Sequence, residues 1–311
     1  GKDVGTYDAY SDQFGYDLIG GAVIKSRVLT MSGVAAQSKT YDGTTAADIS
    51  KFHATLNNVV AGEESLVTAT ATGATYNSKD VATANTVNYT GVALGGTGAG
   101  NYTLAASTAQ GAGRITPKQL NLALASGARF DKTYDGTANV TQSLTKDGNY
   151  TLTNFVNGEG ADIALAPVTG TYTDKNAGTG KTVTFGGLTL TGTGAGNYTL
   201  DKTTLTGKGT IARRALTLGA VAAQTKTYDG TTDADTSKFG AVLNNVVAVE
   251  ENLVKATASG ATYNSKDVAT AGTVGYTGVA LAGAEAGNYT LAATTAQGAG
   301  TISRRALTVD T

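Results

Sequence analysis

The sequence predicts an all-β fold of tandem immunoglobulin-like β-sandwich domains that follow one another end to end as a rod. Three observations predict it: a domain-sized repeat, a two-residue alternation of apolar side chains, and turn signals about every 8 to 12 residues. Glycine supplies 42 of the 311 residues, and no apolar stripe of helical period occurs. The chain is therefore β-rich, and disorder is the competing interpretation of its glycine and threonine content.

The internal repeat sets the domain organisation. Residues 27–116 and 214–303 align without a gap, and about three-quarters of their positions are identical. Residues 117–213 form a more diverged copy, so the order is A, B, A. A period of about 90 residues exceeds the 20 to 50 of solenoid repeats, whose units cannot bury a core alone. Each copy is therefore predicted to be a β-sandwich domain of its own.

Both ends of the sequence carry parts of further copies. Residues 1–26 are predicted to be the C-terminal part of a preceding repeat, since "KDVGT" matches "KDVAT" at 79–83. Residues 304–311, "RRALTVDT", match the opening strand at 213–220 and are predicted to be the first strand of a following repeat. The sequence is typical of an excerpt from a longer array.

Within a copy, the alternation of apolar residues predicts the strands. In "TVNYTGVAL", residues 86–94, the apolar positions change phase by one residue at Gly91, which predicts a β-bulge. Only four residues, such as "TPKQ" at 116–119, separate the last Ile of one copy from the first Leu of the next. Such links are too short for flexible tethers, so neighbouring copies are predicted to abut. The opening strands carry Leu29, Leu120, Leu216 and Leu307.

The most regular motif is Tyr-Asp-Gly. It occurs in "KTYDGTT" at 39–45, "KTYDGT" at 132–137 and "KTYDGTT" at 226–232. Asp-Gly favours a tight turn, because Gly accepts positive φ and Asp hydrogen-bonds its own backbone. The predicted structural turn residues are Tyr41, Asp42, Gly43, Tyr134, Asp135, Gly136, Tyr228, Asp229 and Gly230. No cofactor is predicted; the alternative is a Ca²⁺ ion at a domain junction, bound by Asp or Glu from two copies.

A carboxylate doublet also recurs. Glu63 and Glu64 return as Glu250 and Glu251, whereas the middle copy has Glu159 followed by a glycine. Paired carboxylates occur in glycoside hydrolases, but a solvated turn pair is the preferred interpretation.

Other polar residues carry weaker signals. The only histidine, His53, is replaced by Gly240 in the near-identical copy, which predicts a surface residue rather than a general base. Asn101, Asn197 and Asn288 match the N-x-[ST] glycosylation pattern, with a turn role as the preferred alternative. A Lys–Asx crosslink involving "NSKD" is a further alternative. No residues form a predicted catalytic or metal site.

Charge and composition exclude several classes of partner. A net charge of −1 offers no basic patch, so nucleic-acid binding is not expected. No apolar run is long enough for a membrane span, and the first residues do not have the order of a signal peptide. The absence of cysteine excludes disulfides and thiolate metal sites.

Four motifs occur in a fixed order: "KTYDGTT", "LNNVVAGEE" at 56–64, "YNSKDVAT" and "GAGNYTL". Together they resemble the YDG and MBG (mostly bacterial immunoglobulin-like) repeats of large filamentous-haemagglutinin-like surface adhesins. The resemblance implies an extracellular, non-enzymatic stalk, spacer or fibre-forming segment at a bacterial cell surface. Its implied partners are neighbouring repeats, other copies in a fibre or matrix, and an unknown receptor. The alternative is a receptor- or carbohydrate-binding module, for which exposed aromatic residues around Phe130 and Tyr150 would argue.

Overall fold

A computed structural model describes residues 2–8 and 21–308. All regular structure in these residues is β-strand or short 3-10 helix, and none of it is α-helix. The predicted all-β class is therefore confirmed. Residues 1 and 9–20 of the N-terminal tail and residues 309–311 of the predicted C-terminal strand lie outside the described part of the chain.

The strands recur in the same order in each repeat. An antiparallel pair precedes the first repeat: β1 (Gly5–Asp8) and β2 (Gly21–Ile24). The first repeat contains β3 (Arg27–Ser32), β4 (Gln37–Thr40), β5 (Thr55–Asn57), β6 (Thr68–Thr70), β7 (Gly73–Tyr76), β8 (Thr86–Thr90), β9 (Ala93–Gly95), β10 (Tyr102–Leu104) and β11 (Ala109–Thr116). The middle repeat contains β12 (Lys118–Leu124), β13 (Lys132–Thr133), β14 (Tyr150–Thr153), β15 (Ala164–Leu165), β16 (Thr171–Tyr172), β17 (Gly178–Gly186), β18 (Leu190–Thr191), β19 (Tyr198–Leu200) and β20 (Thr204–Ala212). The third repeat contains β21 (Arg214–Val221), β22 (Gln224–Thr227), β23 (Ala241–Asn244), β24 (Lys255–Thr257), β25 (Gly260–Tyr263), β26 (Thr273–Thr277), β27 (Ala280–Ala282), β28 (Tyr289–Leu291) and β29 (Thr295–Ser303).

Short 3-10 helices interrupt the strands. Within the described residues they are Ile49–Lys51, Glu64–Leu66, Ala99–Asn101, Ala195–Asn197, Thr236–Lys238, Ala248–Glu250 and Ala286–Asn288. Three of them immediately precede the Asn-Tyr-Thr strands β10, β19 and β28, so the "AGN" residues form the turn that enters each of these strands.

Each repeat contains three sheets. In the third repeat their orders are β22-β29-β26-β25, β23-β21-β28 and β24-β27. The first repeat has β4-β11-β8-β7, β10-β3-β5 and β6-β9, and the middle repeat has β13-β20-β17-β16, β14-β12-β19 and β15-β18. Strands from the start of a repeat pair in parallel with strands from its end, as β21 does with β28 and β22 with β29. The two ends of each repeat are therefore joined by backbone hydrogen bonds.

The chain divides into two compact units. One consists of Gly1–Leu122, Leu152–Ala166 and Thr189–Asp201, and the other of Ala123–Thr151, Pro167–Leu188 and Lys202–Thr311. The first repeat lies in the first unit and the third repeat in the second, whereas the sheets of the middle repeat are shared between them. The compact units and the sequence repeats are thus different divisions of the chain.

The core of the third repeat takes side chains from all three of its sheets. Val274 and Ile302 come from the four-stranded sheet, Leu218 and Leu243 from the three-stranded sheet, and Ala256 from the two-stranded sheet. These side chains belong to one contiguous cluster, so the sheets of this repeat enclose a single core. Of the predicted opening-strand positions, Leu29, Leu120 and Leu216 are buried, whereas Leu307 is 90% exposed.

One buried pair differs between the repeats. In the first repeat Gln37 Nε2 donates to the hydroxyl of Tyr89 at 2.6 Å, and in the third Gln224 Nε2 donates to Tyr276 at 3.1 Å. The middle repeat has two rings in these positions: Phe130 packs against Phe185 with centroids 4.7 Å apart. The diverged copy has therefore exchanged a polar core pair for an apolar one.

The predicted β-bulge at Gly91 is wrong. Strand β8 ends at Thr90 in the four-stranded sheet, and β9 begins at Ala93 in the two-stranded sheet, so the chain changes sheets between them. Gly91 has φ +60°, and a Cβ there would lie 1.9 Å from the hydroxyl oxygen of Thr72. A sheet change moves the buried face by one residue as a bulge does, which is why the sequence pattern was misleading.

The connections between repeats are one residue long. Strand β11 ends at Thr116 and β12 begins at Lys118, while β20 ends at Ala212 and β21 begins at Arg214. After β29, residues 304–308 form no strand, although the sequence predicts one. The corresponding strands β3, β12 and β21 are each paired with two other strands, and residues 304–308 have no such neighbours among the described residues.

Candidate functional site: the junctions between repeats

The three Tyr-Asp-Gly motifs adopt one turn conformation. The φ angles of Gly43, Gly136 and Gly230 are +78°, +80° and +79°, a region that glycine adopts without steric cost. In each turn an aspartate Oδ1 accepts a hydrogen bond from the backbone N–H two residues on. The donors are Thr44 at 2.9 Å, Thr137 at 2.9 Å and Thr231 at 3.0 Å.

A lysine stabilises each turn from within the same motif. Lys132 Nζ donates to Asp135 Oδ1 at 2.6 Å and to the carbonyl oxygen of Thr137 at 2.8 Å, and it lies over the ring of Tyr172. Lys39 and Lys226 make the same contacts in the other repeats. Hydrogen bonds from Lys226 and Thr231 lower the pKa of Asp229 to about 2. These aspartates are therefore ionised and paired at neutral pH.

We call the contacts between the first and middle repeats the first junction and those between the middle and third repeats the second junction. At the second junction, the tyrosine of the turn in the middle repeat contacts the third repeat. Tyr134 donates its hydroxyl hydrogen to Glu250 Oε1 at 2.6 Å, and Tyr289 donates to Glu250 Oε2 at 2.7 Å. The two tyrosine rings meet edge to face, with centroids 5.4 Å apart. Glu250 is only 1% exposed. One buried carboxylate thus joins the middle repeat to the third. The residues of this junction, from both repeats, all lie in the second compact unit.

A lysine neutralises this buried carboxylate. Lys175 Nζ lies 2.5 Å from Glu250 Oε1 and 3.1 Å from Glu285 Oε1. Burial raises the pKa of Glu250, but hydrogen bonds from Lys175, Tyr134 and Tyr289 outweigh it, so that the pKa lies below its usual value. The hydrogen bond to Glu250 raises the pKa of Lys175. Both groups are therefore charged at neutral pH, and Glu250 is not protonated as a general acid would have to be.

The first junction repeats this arrangement with Glu159. Its two carboxylate oxygens accept from Tyr41 at 2.7 Å and Tyr198 at 2.5 Å. Lys79 Nζ lies 3.6 Å from Oε1, a longer ion pair than that of Lys175. The rings of Tyr41 and Tyr198 again meet edge to face at 5.4 Å. All four residues belong to the first compact unit.

The asparagines of the Asn-Tyr-Thr motifs also contact the preceding repeat. Asn197 Oδ1 accepts from the backbone N–H of Val81 at 2.9 Å, and its Nδ2 donates to Asp80 at 2.9 Å. Asn288 accepts from the backbone N–H of Ala177 at 2.8 Å. Both asparagines are buried, which disfavours glycosylation of the folded repeats, because a glycan on Nδ2 would displace these contacts. Asn101 is half-buried and accepts from Val4 N–H at 2.9 Å.

The turn glycines complete the junctions by close packing. A Cβ on Gly43 would lie 2.9 Å from Cγ1 of Val156, and one on Gly136 would lie 3.0 Å from Cγ1 of Val247. Each valine belongs to the repeat that follows the turn. The glycine is therefore suited to both conditions: it adopts the positive φ, and it has no Cβ that would clash with the valine of the next repeat.

The third copy of the motif makes no such junction among the described residues. A Cβ on Gly230 would have no neighbour within 4 Å, and Tyr228 is only half-buried, whereas Tyr41 and Tyr134 are buried. No hydrogen bond from the Tyr228 hydroxyl is present among the described residues. The turn therefore keeps its conformation without the junction.

The other residues considered from the sequence do not form a site in the structure. His53 is exposed, as predicted. The solvated-pair interpretation holds for Glu64 and Glu251 but is wrong for Glu250, which is buried. Phe130 and Tyr150 are also buried, so they give no support to the carbohydrate-binding alternative.

The described residues contain no group of three or more His, Asp or Glu side chains suited to a metal ion. The calcium alternative therefore gains no support, since the junction carboxylates are already paired with lysine and tyrosine. The Lys–Asx crosslink gains none either, because Lys79 pairs with Glu159. No helix in the part of the chain that the structure describes is long and apolar enough to cross a bilayer.

The sequence interpretation missed the junction residues that contact the turn: the first glutamate of the doublet, a lysine (Lys79 or Lys175), and the tyrosine of "NYT". A signal was available, since all three copies have Glu at the first doublet position (Glu63, Glu159, Glu250) but not at the second. The partners were not predictable from spacing alone, because Tyr134 and Glu250 are 116 positions apart.

Comparison with protein families supports the three-fold organisation. The YDG domain model matches the chain three times, over residues 25–110, 116–205 and 212–296. The chain belongs to the YDG domain family. Its YDG domains are tandem copies, each containing one Tyr-Asp-Gly turn. No curated protein matches the chain.

Proposed function

We propose that this YDG chain is a non-enzymatic structural segment, a spacer or fibre-forming stalk, of a large secreted bacterial surface adhesin. In this proposal each repeat is an immunoglobulin-like β-sandwich related to MBG repeats, and the repeats follow one another end to end as a rod. The segment lies outside the cell and holds a binding or anchoring region away from the bacterial surface.

The observation that carries the proposal is the junction at Glu250. A carboxylate that is 1% exposed accepts hydrogen bonds from Tyr134 and Tyr289, which belong to successive repeats. Separating the two repeats would break the hydrogen bond from Tyr134 and the ion pair with Lys175, and it would expose the packed rings of Tyr134 and Tyr289 to water. One-residue connections add a second restraint, because they are too short to act as flexible linkers. These features favour a role in which the middle and third repeats are held in a fixed position relative to each other.

Small-angle X-ray scattering tests the mechanical part of the proposal. A compact globular chain of 311 residues would have a radius of gyration of about 20 Å. We expect a clearly larger value at infinite dilution, with a cross-section that remains that of one domain. A matched variant with a flexible Gly-Ser insert after Arg213 should give a broader distribution of intramolecular distances. A radius near that of a compact globule would contradict the proposed rod.

Antibody labelling tests the location. Antibodies against the third repeat should label intact cells of the source bacterium without permeabilisation. Labelling only after permeabilisation would contradict the proposed extracellular location, whatever the scattering result.

A further inference from the structure

The first and third repeats share a groove beside their opening strands, which we call the edge groove. In the first repeat it lies between residues 29–34 and residues 105–110 and has a volume of about 340 Å³. In the third repeat it lies between residues 216–221 and residues 291–297 and has a volume of about 400 Å³. Each edge groove lies within one repeat and one compact unit. Because it recurs at equivalent residues, the edge groove is a property of this type of repeat.

The edge groove exposes the backbone of the opening strand. In β3 the carbonyl oxygen of Leu29 accepts from Ala105 N–H at 2.9 Å, just after the end of β10. Alternate residues of a strand direct their N–H and C=O groups to the same side, so those of Met31 also point into the groove, away from β5. Among the described residues, no strand lies on this side of Met31 and no hydrogen bond closes its N–H. Leu218 has the equivalent position in β21, two residues beyond the last pair with β28.

The middle repeat closes the corresponding strand edge with one of its own side chains. Asp201 stands where the other two copies have Ala105 and Ala292. Its Oδ1 accepts from the backbone N–H of Leu122, the counterpart of Met31, at 2.9 Å. A hydrogen-bond acceptor therefore fits the position that is open in the first and third repeats.

A second side chain of the middle repeat occupies the apolar part of the same place. Leu205 stands where the other copies have Ala109 and Ala296, since all three pair with the equivalent aromatic residue of the neighbouring strand. Leu205 is 5% exposed, whereas the two alanines line the edge grooves. The diverged copy thus supplies a carboxylate and an aliphatic side chain where the other copies have a groove.

We propose that the edge grooves of the first and third repeats bind an extended peptide segment of another protein, which adds a short strand to β3 or β21. Such a segment offers a carbonyl oxygen to the N–H of Met31 or Leu218 and an N–H to its carbonyl oxygen. The middle repeat indicates which side chains fit. They are an acidic one at the strand edge, as Asp201 is, and an aliphatic one over the alanine of the groove, as Leu205 is.

The open edge is short, so a single segment binds weakly. Two edge grooves in one chain allow a partner with two such segments to bind more tightly, provided that its linker spans them. This inference goes beyond the structural role proposed above. A chain that binds no peptide would leave the spacer function intact and overturn only the docking site.

An NMR titration of the folded full chain tests the proposal. The probe is an acetylated and amidated pentapeptide, Thr-Leu-Asp-Leu-Thr, added up to about 5 mM. We expect saturable shifts of the backbone amide signals of Met31 and Leu218, with a dissociation constant of about 0.1–1 mM. Replacing the aspartate of the peptide by asparagine should weaken binding about threefold, because the charge-assisted hydrogen bond is lost. Shifts that do not saturate, or that lie away from the edge grooves, overturn the proposal, and equal binding of the asparagine peptide overturns the acidic preference.

Filling the edge grooves with the residues of the middle repeat provides the matched control. Ala105→Asp/Ala109→Leu should abolish the shifts in the first repeat, and Ala292→Asp/Ala296→Leu those in the third, each without affecting the other groove. These residue types occur together in the middle repeat, so the same fold accommodates them. Circular dichroism and the melting temperature establish that each variant is folded. Binding that survives both substitutions shows that the peptide lies elsewhere.

The reverse exchange should create a third groove. Asp201→Ala/Leu205→Ala removes both side chains that fill the place in the middle repeat, and the peptide should then also shift the amide signal of Leu122. A folded variant without that shift contradicts the proposed binding mode. Hydrogen exchange of the wild type gives an independent check, since the Met31 and Leu218 amides should exchange faster than that of Leu122. Equal protection of the three amides would mean that the strand edges are closed, and the proposal would fail.

Discussion

The turns at Tyr134 and Tyr228 share the sequence KTYDGT, the same glycine φ and the same lysine–aspartate hydrogen bond. Among the residues that the structure describes, only the turn at Tyr134 contacts another repeat. Both turns lie in the second compact unit, so their variants can be compared within the same unit. The comparison separates two roles of the Tyr-Asp-Gly motif. The aspartate, glycine and lysine stabilise the turn locally, whereas the tyrosine hydroxyl becomes useful only when a following repeat supplies its glutamate.

Removing the tyrosine ring should give the largest difference. Tyr134→Ala is expected to lower the free energy of unfolding by about 3–5 kcal/mol, since it deletes a buried ring and a donor to Glu250. The matched Tyr228→Ala should lower it by about 1–2 kcal/mol, because that ring is half-buried and its hydroxyl has no partner among the described residues. Urea denaturation of the full chain measures both. Equal losses would show that the junction adds nothing to the turn.

The junction lysine should give the next effect. Lys175→Met leaves the buried Glu250 carboxylate without its cation and should cost about 2–3 kcal/mol, discounted from a fully buried pair because the Lys175 side chain is 35% exposed. Lys266→Met removes only a surface pair with Asp267 and should leave the free energy of unfolding nearly unchanged. Thermal and urea unfolding of the two variants provide the measurement. A similar loss at Lys266 would contradict this assignment.

Substitutions of the turn glycines distinguish the cost of backbone strain from the cost of a close contact with the next repeat. Gly230→Ala should cost about 1 kcal/mol, because alanine is strained at positive φ. Gly136→Ala carries the same strain and also brings a Cβ within 3.0 Å of Val247, so about 2 kcal/mol is expected. Denaturant midpoints at equal m-values resolve this difference. If Gly230→Ala were the more harmful change, the close contact with Val247 would be irrelevant.

Acid should give the smallest effect over the range from pH 5 to 3, because the lowered pKa of Glu250 delays its protonation. The pKa of Glu250 in the folded protein lies below its usual value of 4.5. Its contribution to stability is therefore fully present above that value and is lost as the pH falls through the folded pKa. The melting temperature of Glu250→Gln should vary less with pH over this range than that of the wild type. A steeper dependence in the variant would reverse the sign expected here.

The features that could be predicted from the sequence are those that depend on residues close together in the sequence. The Asp-Gly turn and the buried Leu29, Leu120 and Leu216 follow from local conformation and alternation, and the all-β class follows with them. The sheet change at Gly91 was misread, because a bulge and a change of sheet produce the same phase slip. Glu250 was misread for a different reason: its burial depends on Tyr134, 116 positions away, and no local pattern reports that contact.

The exchanged core pair has a consequence for how such an array reaches its native state. A strand carrying Gln37 that entered the neighbouring middle repeat would place its amide against Phe185, and Phe130 in return would leave the Tyr89 hydroxyl without its donor. Each mispaired species would bury unsatisfied polar atoms, which penalises domain swapping between adjacent copies. We expect Gln224→Phe/Tyr276→Phe, which makes the third core resemble the middle one, to refold with a lower yield of soluble monomer. Unchanged yield would mean that the alternation of copies gives no protection during folding.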